Sequence, residues 1–195
     1  MKRPLCYVVV ATLGAAILSS TVLVSSAAAQ SPEEILRRDE GTWKAELKFV
    51  MPDGSESVMN GTETNRMLGD WVISDFVGEV EGQQFSGHAV YGFDQEKEKF
   101  VATWVDSMPQ EGTPRRLALM LGEYDKESDT LTMHTEGYNM EGEKAKEKHV
   151  HSYDGSDKRT VTFHQQGRDG EWAVMMVVSY TRIQQAGSGR TTADK

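Results

Sequence analysis

The chain has 195 residues, with 21 Lys+Arg against 30 Asp+Glu and a formal charge of −9. That length suits one domain plus a targeting segment and is enough to bury a real core. The acidic balance argues against nucleic acid as a partner, because phosphate binding needs a basic surface, and against docking on anionic lipid.

Residues 1–29 read as a secretory signal peptide. Lys2 and Arg3 form a short basic end, an apolar run follows over residues 5–24, and Ala27, Ala28 and Ala29 supply the small residues of a cleavage site after Ala29. The competing reading is an uncleaved membrane anchor, since the run is nearly long enough to span. The small-residue site and the serines before it favour cleavage, so the expected location is periplasmic or secreted, with no membrane association afterwards. Cys6 is the only cysteine and leaves with the signal. Disulfides, thiol catalysis and cysteine-ligated zinc are then excluded from the mature chain.

The mature chain opens on Ser31-Pro32-Glu33-Glu34, a capping box with proline at the first helical position. A short helix is expected within residues 30–40, with Ile35 and Leu36 as its apolar side and Gly41 at its end. Trp43, Ala45, Leu47 and Phe49 then alternate with Lys44, Glu46 and Lys48, the period of a strand with one buried and one wet side. Further strands are expected at 58–68, 71–78, 85–93, 100–106, 115–124, 130–138, 144–153, 160–165 and 172–183. Turns built on Pro52-Asp53-Gly54, Gly69-Asp70, Glu81-Gly82 and Asp154-Gly155 separate them. Residues 107–114 form a longer loop, and 184–195 a Gly/Ser/Thr-rich disordered tail. About ten strands joined by short turns, with no helix between them, predict an all-β, closed, antiparallel up-and-down barrel over 41–183. Strand 41–50 would pair with strand 172–183, which removes both open edges. A flattened two-sheet sandwich is the alternative. A barrel of this size can hold a small ligand.

Gly41-x-Trp43 after a short helix, with Tyr180-x-Arg182 in the last strand, resembles the start and end of lipocalin-like (calycin) barrels. A closer resemblance is to the bacterial family called domain of unknown function 1579. It covers about residues 36–183 and rests on Gly41-Thr42-Trp43, Gly61-Thr62 with Asn65, Gly87 with Gly92-Phe93-Asp94, residues 100–108 and Tyr180-Thr181-Arg182. The resemblance implies a lipocalin-like barrel, frequent export and no established activity. It also implies structural roles for Gly41, Trp43 and Arg182: Trp43 plugs the barrel base and Arg182 packs over it. Ala45 and Leu47 stand where the haem-binding nitrobindins have glycines, so the resemblance implies no haem, and no cofactor is expected.

Phe100, Ala102, Trp104 and Asp106 share one strand face. Asp106 at a barrel mouth is the first candidate for orienting a ligand or acting as a base; the structural alternative is that it caps Ser107 or pairs with Arg115 or Arg116. His149 and His151 have the spacing of metal ligands if His134 or His164 converges with them, but the lysines around them suggest a solvated strand and two exposed histidines. His88 is a candidate inward residue. Met120 and Met133, like Met175 and Met176, suit an adaptable cavity wall and equally an ordinary core. No phosphate loop, nucleophile elbow or catalytic triad order is present. Three readings follow. A protein binding a small apolar or amphipathic molecule inside the barrel is preferred to a barrel enzyme using Asp106. It is also preferred to a filled-barrel interaction module working through loop 107–114.

Overall fold

The computed structural model describes residues 30–184 apart from 52–53, 81, 108–116 and 140. The expected signal peptide, most of loop 107–114 with Arg115 and Arg116, and the tail beyond residue 184 lie outside the described residues. A helix, α1 (Pro32–Arg37), comes first. Ten strands follow among the described residues: β1 (Gly41–Val50), β2 (Glu56–Leu68), β3 (Trp71–Val80), β4 (Gln83–Asp94), β5 (Lys99–Asp106), β6 (Ala118–Asp125), β7 (Thr130–Tyr138), β8 (Lys144–Asp154), β9 (Lys158–Gln166) and β10 (Trp172–Arg182). No helix among the described residues is long and apolar enough to cross a membrane.

Each strand pairs antiparallel with its neighbour in sequence. β10 returns to β1 with a register running from Trp43↔Arg182 to Phe49↔Met176, so the sheet closes on itself. This is the up-and-down barrel expected from the sequence, and the single closed ladder rules out the two-sheet sandwich. The alternation of β1 explains its placement: Trp43, Ala45 and Leu47 are buried, while Lys44, Glu46 and Lys48 face water. A one-residue slip would turn all of these over.

The capping box forms as its residue types require. Glu34 N–H donates to Ser31 Oγ, and Ser31 N–H donates to Glu34 Oε2. The helix stops at Arg37 with Arg38 as its C-cap. Gly41 does not end it but opens β1, at φ 118°, where an added Cβ would sit 2.6 Å from the Arg182 guanidinium. Ile35 and Leu36 are buried against Val72, Phe100, Met120, Leu131 and Met133, so α1 stoppers one end of the barrel. Arg38 ties that stopper to the β6–β7 turn by a two-pronged contact with Asp129, at 2.5 and 2.9 Å, and lies 3.8 Å over the Tyr153 ring. This end is the floor. The last residues of β1, β3, β5, β7 and β9 lie at the opposite end, the mouth.

Candidate functional site

Inside the barrel is a cavity of about 1040 Å³. Its walls follow from the strand period, since every second residue of each strand points inward. β1 and β2 give Leu47, Phe49 and Met59; β3 and β4 give Phe76, Phe85 and Ala89; β6 and β7 give Met120, Leu131 and Met133. Met176 and Val178 complete this apolar part from β10.

The floor is polar. Arg159, at the start of β9, keeps step with the inward Val161 and Phe163, and its side chain is 3% exposed. Its Nη1 lies 3.2 Å from Asp39 Oδ1, and its Nη2 donates to Glu63 Oε1. One face of the guanidinium meets the Tyr180 ring at 4.1 Å, and the Trp43 ring lies 4.9 Å away. Asp39, between α1 and β1, is also fully buried. Its carboxylate accepts from Tyr91 Oη at 3.0 Å, and its carbonyl accepts from Trp43 Nε1 at 2.8 Å and Asn65 Nδ2 at 2.9 Å. Asn65 also donates to Glu63 Oε1 at 2.6 Å. Two acids and one base therefore share one buried network. Burial disfavours the Arg159 charge, but Glu63 and Asp39 outweigh it and hold the guanidinium well above its usual range. Burial raises the Asp39 carboxyl, with Arg159 opposing. The Tyr91 and Tyr180 hydroxyls are raised well above their ordinary value, chiefly by burial, so both stay neutral donors.

A polar rail climbs from the floor along β8. Glu147, His149 and His151 all line the cavity. His151 is deepest; burial, then Arg159 and His149, push its imidazole down to about 3, so the ring is neutral. Its Nδ1 is buried and makes no hydrogen bond to protein. His149 packs on the Phe163 ring at 4.3 Å, and its Nε2 lies 3.9 Å from Glu147 Oε2. Gln165 Nε2 donates to Glu147 Oε1 at 3.2 Å. At the mouth, Trp104 Nε1 donates to Asp106 Oδ2 at 2.7 Å, and both residues line the cavity. The Trp104 indole lies against Gly87, where any Cβ would collide with it. Ser107 N–H donates to the Ser86 carbonyl at 2.8 Å, and Ser86 N–H to Ser107 Oγ at 2.9 Å, so Ser107 itself pins the end of β5.

The candidate residues thus fall in different places. Trp104, Asp106, Met120 and Met133 line the cavity. His88 does not: it alternates with the inward Ala89 and points outward, with Nδ1 2.8 Å from Asp75 Oδ1 in an exposed pair. His149 and His151 are not on a solvated face. Lys146 and Lys148 take the outer positions of β8, and the histidines between them turn inward. His134 is exposed, opposite in phase to the inward Met133, and His164 is opposite in phase to Phe163. No group of three or more possible metal ligands comes together among the described residues. Trp43 is buried, with the Arg182 guanidinium 4.0 Å over its ring.

Reading the sequence alone missed the floor: Asp39, Glu63, Asn65, Tyr91, Arg159 and Tyr180. The available signal was phase. Glu63 keeps step with Met59 and Met67, and Arg159 with Val161 and Phe163, so each is a charge on an apolar face.

The fold is shared with solved proteins of low sequence identity. The S-type phycobiliprotein lyase CPES from Guillardia theta matches with a TM-score of 0.55 at 13% identity, covering 80% of this chain and 94% of that one. Rv2717c from M. tuberculosis matches with a TM-score of 0.53 at 7% identity, covering 80% of this chain and all 100% of that one. At such identities the likeness concerns the barrel alone. A comparison with curated proteins returns no match. A family profile described as protein of unknown function (DUF1579) matches residues 28–182, and the chain belongs to that family.

Proposed function

We propose that this is an exported protein that binds a small amphipathic molecule inside its barrel. The observation that carries the reading is the cavity itself: about 1040 Å³, walled in its middle by Leu, Phe and Met side chains, with hydrogen-bonding groups at the floor, along the β8 rail and, with Trp104 and Asp106, at the mouth. Ligand pockets have this composition, mostly apolar with a few placed polar groups. The methionines add walls that adapt to an irregular shape. Export rests on the basic, apolar and small-residue pattern of residues 1–29.

The test is titration with N-phenyl-1-naphthylamine, a neutral apolar dye that fluoresces when it leaves water. The purified protein is expected to bind it at micromolar concentration. Ala102→Phe and Ala89→Phe, filling the lumen from the neighbouring strands β5 and β4, are each expected to weaken binding at least tenfold while the circular dichroism of the sheet is kept. Absence of binding, or binding unaffected by filling the lumen, overturns the reading. For export, N-terminal sequencing of protein recovered outside the cytoplasm is expected to begin at Gln30.

A further inference from the structure

We infer that the barrel selects a ligand with a neutral hydrogen-bonding head, an alcohol or carbonyl group, seated head-down at the floor beside His151 with its apolar body toward the mouth. This rests on the cavity-binding reading above and sharpens it.

Consider what the floor offers an incoming group. Arg159 is the cation of the floor; both of its terminal nitrogens are engaged, and its Nε, which has no hydrogen-bond partner, is itself buried. One terminal nitrogen faces Asp39, the other Glu63, and aromatic rings cover the guanidinium. A carboxylate head would therefore enter beside two acids with no free cation to meet it, and burying an unpaired charge is costly. An ammonium head fares no better. It would press against Arg159, while both neighbouring carboxylates are already taken up by that guanidinium and by Asn65 and Tyr91.

A neutral head meets a different surface. His151 lines the cavity just above Arg159, on the strand that pairs Tyr153 with Arg159. Its Nδ1 is buried without a protein partner, and the ring is uncharged. A neutral imidazole nitrogen either donates or accepts, according to tautomer. A hydroxyl can answer both forms, and a carbonyl answers the donor form. Ser74 and the Tyr91 and Tyr180 side chains line the same end of the cavity, so the head enters a polar surround rather than one isolated contact. A polar ring left without a hydrogen bond in an apolar lumen is unfavourable, so a ligand that bonds the edge of His151 facing the cavity gains relative to one that does not. The wall above is apolar on most sides, which fixes the direction: head to the floor, chain to the mouth.

The experiment is displacement of N-phenyl-1-naphthylamine at pH 7.5 by three probes with one chain and different heads: 1-dodecanol, dodecanoate and dodecylammonium. The wild-type protein is expected to bind dodecanol at least tenfold more tightly than either charged probe. His151→Leu is expected to weaken dodecanol about tenfold and leave the two charged probes unchanged, and His151→Gln, which keeps a neutral hydrogen-bonding group, to restore it. The variant comparison matters because any apolar lumen favours an uncharged chain; only a head seated at His151 makes that preference depend on residue 151. Dodecanoate or dodecylammonium binding as tightly as dodecanol, or dodecanol affinity unchanged in His151→Leu, overturns this inference and leaves the cavity reading standing. If neither the dye nor any of the three probes binds, the cavity reading falls and takes this inference with it.

Discussion

Arg159 is the residue whose loss the fold should feel most. Arg159→Met leaves the buried Asp39 and Glu63 carboxyls without the guanidinium that both of them face. Breaking a buried pair in this way costs about 3–5 kcal/mol, and denaturant unfolding of the variant measures it. The exposed Glu33–Arg37 pair on α1 has no such leverage, because water screens both ends. His151 gives the second prediction at this scale. Its folded-state value of about 3 lies below the ordinary 6.5, so below pH 6.5 the unfolded chain takes up a proton that the folded chain refuses. Stability is thus whole above pH 6.5 and is lost as pH falls toward 3. Each pH unit in that window costs about 1.4 kcal/mol, or about 2 kcal/mol by pH 5. Asp39, raised by burial, works in the opposite sense as pH falls, and Arg159 and His149 also face the ring. The clean measurement is therefore the difference from His151→Leu, which keeps those groups. Wild type is expected to lose about 2 kcal/mol more than the variant between pH 6.5 and 5; parallel curves would contradict it. These residues were hard to read in the chain for a physical reason. Glu63 and Arg159 are 96 residues apart and meet only across the closed barrel, so no local pattern joins them.

At the scale of elements, the short helix is a working part of the barrel and not an appendage. Leu36 is 2% exposed and packs where the lumen would otherwise open to water. Leu36→Ala is expected to cost about 2–5 kcal/mol, the range for large-to-small changes in a packed core, and thermal unfolding reads it. A change under half a kilocalorie would mean that α1 is not docked. The helix was legible because its capping box is a local signal, and so was β1, whose alternation is unbroken. β8 was misread for the same local reason. Its lysines dominate the composition, and a charge-rich strand looks solvated. The period of two sorts it correctly: Lys146 and Lys148 out, Glu147, His149 and His151 in. Composition is averaged over both faces, and only phase separates them.

For the whole molecule, closure was the legible property. A run of hairpins needs its first and last strands to meet, and β1 with β10 does so in register from Trp43 to Phe49. What closure does not specify is whether the inside is full. That depends on side-chain volumes summed around ten strands, with small residues such as Ala89, Ala102 and Ala118 among the inward positions, and no stretch of sequence shows such a sum. The proposed role of this hollow interior is to receive a ligand. The most direct measurement is the methyl NMR spectrum of methionine-labelled protein during titration with N-phenyl-1-naphthylamine. Met59, Met120, Met133 and Met176 line the cavity, whereas Met67 packs at the helix end and does not. With the dye inside the barrel, the four lining methyls are expected to shift in saturable fashion while Met67 stays in place. Dye binding that leaves those four signals unmoved would place the ligand outside the barrel and contradict that role.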